Sequence, residues 1–415
     1  MMRPMVVDDS RFLDALLLRE IVDAGVAPAA VAAVATLTEA GWLAAFGAAG
    51  RVGSAPTTVD TPFDLASVTK PLFALSCARL VERGRLAWSA PASAYLPLIA
   101  DTPAGERTLA EHLSHRAGLR AHVELFAPLR EGRPLDIDRA YRTAAQSVRT
   151  GPDAEAPPDG SHCSSPLYSD LGYLLVGRAV EEVTGRPLDE VLLGELREVC
   201  GEEQLGSSRQ WRRRDPTFTE RVAPTENVPW RGGTLRGVVH DDNAWALSGY
   251  GCSGHAGLFG SAPALLRFGV ALLETLGPDP ARRPLVRRST LEELLRPRPG
   301  GSLRLGFDGK EDERSMAGRV AGPNTFGHLG YTGTSFWCDP DARTVTILLT
   351  NRVHPTAGNL RIRQARPRVH DELFQLAWNC RMPSRTANAM LPLVNPAGGS
   401  QLGEHQASRP DRCGS

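Results

Sequence analysis

A chain of 415 residues, 42% hydrophobic and 23% charged with a formal net charge of zero, is long enough to bury a large core and carries no bulk electrostatic bias toward nucleic acid or an anionic membrane. Its seven cysteines, at 77, 163, 200, 252, 338, 380 and 413, include no Cys-x-x-Cys pair, so reduced thiols are expected rather than a disulfide framework or a zinc ribbon. The start of the chain carries Asp8, Asp9, Asp14 and Glu20 and does not read as a signal peptide; nor does any run of about 20 apolar residues follow, which makes cytoplasmic the default location and a small molecule the expected partner.

Residues 13–22 carry apolar side chains at helical spacing and predict an N-terminal helix, closed by Gly25 and Pro28. Residues 30–37 and 42–46 are short apolar runs that predict an antiparallel hairpin around Glu39-Ala40-Gly41, although their alanines weaken the strand assignment. After a loop with Pro56 and Pro62, a helix is expected from Ser67 to Gly84 through Leu72, Phe73, Leu75, Leu80 and Val81. Pro71 falls in its first turn, where a missing N–H costs little. Residues 109–115, 171–184 and 188–199 predict further helices, and the Pro-, Gly-, Asp- and Ser-rich residues 150–165 a flexible loop. The basic run 209–214 reads as a solvated loop, since no basic domain surrounds it. Residues 262–276 and 289–295 predict helices, 325–338 and 344–349 strands across the turn-forming 339–343, and 369–378 a closing helix.

This order predicts an α+β fold: one domain over 1–380, with an antiparallel sheet flanked by helices built from about 10–82 and 262–380. An all-helical lobe, about 83–261, is inserted between the N- and C-terminal strands, leaving a cleft between the two. Residues 381–415 lose periodicity and are expected to form a disordered tail.

Of 47 basic residues only Lys70 and Lys310 are lysine. A guanidinium stays charged inside a protein, whereas a partly buried ammonium can lose its proton near neutral pH. Lys70 therefore reads as chosen for its chemistry, while Lys310 sits in a polar Gly-Lys-Glu-Asp stretch. The three-residue spacing from Ser67 to Lys70 puts hydroxyl and amine on one helix face, a turn apart, and the helix start directs free N–H groups and the positive end of its dipole at the hydroxyl. There is no Gly-x-Ser-x-Gly and no Gly-x-x-x-x-Gly-Lys, which argues against an α/β-hydrolase or a phosphate-binding loop. His112 and His115 lack a third ligand at metal-binding spacing and read as structural, and His255 as a loop residue that orders the cleft wall. No cofactor and no metal are expected, and the sequence does not fix an oligomeric state.

Two further elements follow in order, Tyr168-Ser169-Asp170 and His328-Leu329-Gly330. With Ser67-Val68-Thr69-Lys70 they resemble the three signature elements of the serine β-lactamase and penicillin-binding-protein superfamily. The tyrosine resembles the class C β-lactamase-like branch, which also holds esterases and D-amino-acid peptidases. Leu-Ser-His-Arg-Ala-Gly-Leu at 113–119, Gly-His-Ala-Gly-Leu-Phe at 254–259 and Val-His-Asp-Asp-Asn-Ala at 239–244 are also similar to stretches of that branch, and the resemblance runs from about residue 12 to 380. Three positions depart from it: His328 where β-lactamases have lysine, Asp170 where class C enzymes have asparagine, and Ala117 in place of a serine.

The resemblance implies a β-lactamase/transpeptidase-like fold and a serine hydrolase in which Ser67 attacks a carbonyl and forms an acyl-enzyme. Lys70 and Tyr168 are the candidate bases, expected to act as a unit. A Tyr168 phenolate would need cationic neighbours such as Lys70 or a protonated His328. The amides of Ser67 and Tyr331 are expected to form the oxyanion hole, with Gly330 keeping the strand's approach clear. His328 is assigned to substrate contact, and Ser169 and Asp170 to substrate contact or to holding Lys70. A small ester or amide is the expected substrate; the alternatives are D-alanyl peptidase or β-lactamase activity, or a binding or sensor protein that forms an acyl adduct without turnover.

Overall fold

The run Ala29–Thr38 is so rich in alanine that its strand propensity is modest, yet it forms the middle of the main sheet. It pairs antiparallel with Gly41–Val52 on one side, Ala33 opposite Phe46, and with Thr344–Thr350 on the other, Ala33 opposite Ile347. Small side chains fit there because helices cover both faces. Ala30, Ala32 and Val34 pack with Leu13, Leu16, Leu17, Val369 and Leu373; Ala29, Val31, Ala33 and Ala35, one residue out of step, belong to the core that contains Phe268, Leu272 and Ile347. That two-residue alternation is the signature of a strand buried on both faces. A Cβ added to Gly269 would lie 2.4 Å from a Val345 methyl, so the glycine lets helix Ala262–Leu276 lie close against the sheet.

The computed structural model describes residues 5–6, 9–149, 165–201, 203–278 and 284–381. Of the flexible loop expected over 150–165 only Ser165 lies within them, and of the tail expected over 381–415 only Arg381, which ends the closing helix. The eight-stranded sheet runs, edge to edge, Met5–Val6, Gly41–Val52, Ala29–Thr38, Thr344–Thr350, Ser335–Asp339, Phe326–Leu329 and Asp308–Gly309, with Ala55–Pro56 added to Gly41–Val52. Every pairing is antiparallel except that of Met5–Val6. Strands from both ends of the chain thus share one sheet. A second sheet of three short strands, Phe63–Asp64, Leu258–Gly260 and Leu205–Ser207, ties the approach to Ser67 to the glycine-rich loop and adds strand structure within the mainly helical middle of the chain. Among the described residues no helix is long and apolar enough to cross a membrane, and the five described cysteines are free thiols.

Three expectations change. The strand expected over 325–338 is a hairpin: Gly330 N–H donates to the Thr334 carbonyl at 2.7 Å, and Gly333 adopts φ +104°, so two glycines in a strand-like run turn it back on itself. The basic run is not a loop but the helix Ser208–Arg214, opened by a capping box of Ser207 and Gln210 and anchored by buried Trp211, which stacks on Phe218 at 5.3 Å and donates to the Phe259 carbonyl at 3.0 Å. The closing helix is Ile362–Arg381, seven residues longer at its start, and it carries Pro367 inside it without ending there.

Ile347 is fully buried in the centre of the sheet. Ile347→Ala should lower unfolding free energy by about 2–5 kcal/mol in denaturant titrations, while Ile137→Ala, at a site 39% exposed, should change it by less than about 0.5 kcal/mol.

Candidate active site

The approach to Ser67 is held by a buried carboxylate. Asp64 Oδ1 accepts from the Ala66 amide and Oδ2 from the His240 amide, both at 2.8 Å, and Ala66 takes the left-handed φ of +46°, a costly conformation for a residue with a side chain. A single 3-10 turn, Ala66–Val68, then leads into helix Thr69–Glu82. Lys70, one turn beyond Ser67, is completely buried. Its ammonium has three N–H groups and finds three acceptors: Ser67 Oγ at 2.9 Å, Tyr168 Oη at 2.8 Å and Asp170 Oδ1 at 2.6 Å. The Tyr168 and Tyr173 rings add cation–π contacts at 4.6 and 5.2 Å.

Tyr168 and Asp170 arrive together because they directly precede helix Leu171–Thr184. Ser169 between them points away, donating from Oγ to the Arg120 carbonyl at 2.7 Å. His115 stacks on the Tyr168 ring at 4.5 Å and accepts from the Ser169 amide at 3.0 Å, so the expectation of a structural histidine is met at the very edge of the site. The Tyr168 ring is 37% exposed along the cleft, while its hydroxyl end lies in the buried cluster.

Electrostatics fix the resting protonation. Burial pushes Lys70 down, but the Asp170 charge and the Tyr168 hydroxyl outweigh it and hold its pKa above the usual lysine value. Burial pushes Asp170 up, but Lys70 and His255 outweigh that and hold it below the usual carboxylate value. Burial raises Tyr168 above an ordinary phenol despite Lys70. The site therefore rests as ammonium, carboxylate and phenol. His328 is not the cation that a tyrosinate would need: burial, then the Lys70 charge, push it down to about 3, and it donates from Nδ1 to the Leu329 carbonyl at 2.7 Å.

The C-terminal hairpin is clamped on the Ser67 turn. Thr332 Oγ1 donates to the Asp64 carbonyl at 2.7 Å and Thr334 Oγ1 to the Leu65 carbonyl at 3.0 Å. A Cβ on Gly330 would lie 2.6 Å from the Leu65 carbonyl oxygen and 2.0 Å from Thr334 Oγ1, so any side chain there would push the hairpin off. Tyr331 lies in the turn rather than on the strand, its ring between His240 at 5.7 Å and the Arg352 guanidinium at 4.5 Å. Ser67, Tyr168, Asp170, His328, Gly330 and Tyr331 all line one cleft of about 850 Å³.

The family model described as Beta-lactamase matches residues 16–369. The chain belongs to the Beta-lactamase family. It is 32% identical over 316 residues to the N-acetylmuramyl-L-alanine amidase of Bacillus subtilis (strain 168), covering 71% of this chain and 68% of that protein. Its fold is similar to that of a penicillin-binding protein homologue from Caulobacter crescentus, at TM-score 0.63 and 21% identity over 90% of this chain and 99% of that one. It is also similar to a class C β-lactamase from Rhodobacter sphaeroides, at TM-score 0.62 and 18% identity over 88% and 99%. The α+β fold with its antiparallel sheet is thus the β-lactamase/transpeptidase-like fold.

In this Beta-lactamase-family cleft the Asp241 carboxylate escaped sequence reasoning, and His255, expected to order the cleft wall, binds it. Asp241 Oδ1 caps helix Asp242–Ser248 by accepting from the Ala244 amide at 2.7 Å, and accepts also from His255 Nε2 at 2.9 Å. His255 Nδ1 in turn pairs with Ser253 Oγ at 2.9 Å. Asp241, His255 and Asp170 each place one ligand-type atom within 4.8 Å of the others, and of the three it is Asp170 that binds the Lys70 ammonium. Burial raises Asp241, but the His255 contact and the Ala244 amide outweigh it and hold the carboxyl well below the usual range. Buried Asn243 fixes the facing segment, accepting from Leu125 N–H at 2.9 Å and donating to the Val123 carbonyl at 2.8 Å.

Burial, the largest cause in each case, pushes His112 and His240 down to about 4 and His115, His328 and His370 down to about 3. The unfolded chain protonates these rings near pH 6.5 and the folded one does not, so their contribution is full above that pH and is lost as pH falls toward 4. Asp64, raised to about 6 by burial, and Asp242, Glu274 and Asp308, which burial also raises, work in the opposite sense, but the five histidines outnumber them in the range where imidazoles titrate. The urea midpoint should therefore drop steeply between pH 7.5 and pH 5; a midpoint that holds or rises over that range would contradict this electrostatic picture.

Proposed function

We propose that this chain is a serine hydrolase that works through an acyl-enzyme on Ser67 and that its substrate is a small amide of the N-acetylmuramyl-L-alanine class. The observation that carries this reading is the convergence of Ser67, Lys70 and Tyr168 through hydrogen bonds of 2.9 and 2.8 Å on a buried amine. Ser67 attacks the carbonyl, Lys70 and Tyr168 move its proton to the leaving nitrogen as a unit, and the amides of Ser67 and Tyr331 receive the oxyanion. Neutral His328 offers the substrate a hydrogen-bond acceptor at Nε2.

Support for an amide, rather than a β-lactam, comes from two sides. The Bacillus subtilis relative is named an N-acetylmuramyl-L-alanine amidase. His328, neutral at physiological pH, supplies no cation for a β-lactam carboxylate. The cationic side chains stand elsewhere: Arg352, Arg363 and Arg366 line the cleft, Arg352 held by the Tyr331, Ala357 and Asn359 carbonyls and Arg366 by those of Gly330 and Thr334. They suit the free carboxylate of an amino-acid leaving group. D-alanyl peptidase chemistry would use the same arginines and is the second reading.

Intact mass after a fluorophosphonate probe, with turnover of N-acetylmuramyl-L-alanine, D-alanyl-D-alanine, p-nitrophenyl acetate and a chromogenic cephalosporin, tests this function. Wild type should gain one adduct and cleave the muramyl amide fastest. Ser67→Ala should gain none and lose at least about 10³-fold in kcat, and Lys70→Arg, which keeps the charge but cannot deprotonate, about 10²-fold. Adduct formation without turnover of any substrate would instead mark a sensor. Arg363→Ala should raise KM for the muramyl amide about tenfold, the scale of one charged hydrogen bond, and leave p-nitrophenyl acetate hydrolysis unchanged.

A further inference from the structure

Lys70 cannot take a proton from Ser67 while it is an ammonium, because each of its N–H groups is already donated and it has no lone pair. It must first give a proton up. Two of its three contacts, Ser67 and Tyr168, are hydroxyls that carry their own protons. The third, Asp170 Oδ1 at 2.6 Å, is an ionised oxygen with room for one. An asparagine amide oxygen at this position could accept the same hydrogen bond but would bring no counter-charge and would accept no proton.

We propose that Asp170 acts through Lys70 as its proton acceptor, so that the Asp170–Lys70 pair, and not a free lysine amine, is the resting acid–base unit of this site. The inference rests on the Ser67 acyl-enzyme reading above. The Lys70 N–H bond breaks as an Asp170 O–H bond forms, giving a neutral amine and a neutral carboxylic acid. With Lys70 completely buried, that neutral pair avoids the cost of a buried charge, which narrows the gap between the two forms. The amine lone pair takes the Ser67 Oγ proton while Oγ bonds to the carbonyl carbon. When the tetrahedral intermediate collapses, the carbon–nitrogen bond breaks and the leaving nitrogen takes a proton from the Tyr168 hydroxyl. Lys70 reprotonates Tyr168, and Asp170 returns its proton to Lys70. The Ser67 proton has gone to the leaving group, and the site is back in its resting form.

The neighbours on every side suit this role. Asp241, before helix Asp242–Ser248, places its carboxylate within 4.8 Å of Asp170 and favours the protonated form of Asp170, while His255 on the glycine-rich loop, bound to Asp241 at 2.9 Å, favours the ionised form. His115 and His328, which face the pair from the loop after helix Leu109–Leu113 and from the hairpin, are held neutral. Tyr168 and Tyr173 are held as phenols. Across pH 7 to 9 the Asp170–Lys70 ion pair therefore stays fully formed.

The test is the second-order rate of fluorophosphonate labelling of Ser67, read by intact mass between pH 7 and 9, for wild type, Asp170→Asn and Asp170→Glu. The pair predicts a wild-type rate that is flat within about twofold, since the reacting form is fully populated throughout. Asp170→Asn should label at least tenfold more slowly at pH 7, and Asp170→Glu, which restores an acceptor, should recover part of that loss. A wild-type rate that climbs about tenfold per pH unit would identify a free amine as the base and overturn the proposal. So would an Asp170→Asn rate and profile equal to wild type. If folded wild type were unlabelled at every pH, the Ser67 acyl-enzyme reading itself would fall, and this proposal with it.

Discussion

A completely buried ammonium with three acceptors is the constraint that the rest of the site obeys. Moving such a charge out of water is costly unless each N–H is paired, and no single element supplies the partners. Ser67 comes from the strained turn that Asp64 holds, and Tyr168 and Asp170 from the residues that open helix Leu171–Thr184. The hairpin that carries His328 and Gly330 is brought alongside by the main sheet, whose strands come from both ends of the chain, and is fastened to the Ser67 turn by Thr332 and Thr334. Removing any one of these would leave Lys70 with an unmatched proton or an open path to water.

Asp170 and His328 mark where this cleft departs from the family pattern, and they work together. A lysine at position 328 would place a second cation near Lys70. A neutral histidine, with its Nδ1 proton committed to the Leu329 carbonyl, leaves Lys70 as the cation at the nucleophile and Asp170 as its counter-ion. Arg352, Arg363 and Arg366 stand on the wall of the same cleft, where the proposed function would have them meet the carboxylate of the leaving group.

Much of this was legible in the sequence where the signal is local. Helices Leu171–Thr184 and Ala262–Leu276 have the bounds that apolar periodicity gives, and the Ser67–Lys70 spacing on a helix start requires no tertiary knowledge. Strand Ala29–Thr38 could be read despite its alanines because the run is apolar and bounded by a turn. The misreadings also have physical causes. Two glycines hid a turn within 325–338, and the arginines of 209–214 masked the single buried tryptophan that makes that run a helix. The Asp241–His255 contact had no local signal: the two residues lie in separate stretches, each similar to its family counterpart, and only the fold brings them to Asp170.

With only two lysines in the chain, the central claim can be read directly. Selective ¹⁵Nζ labelling of lysine gives two signals, and Lys310→Arg assigns them. A Lys70 signal that keeps the shift and slow proton exchange of an ammonium from pH 6 through pH 10 is the result expected of the Lys70–Asp170 ion pair. A Lys70 that titrates to the amine between pH 7 and 9 would contradict it, showing that burial outweighs Asp170 and that a free amine is the base at this site.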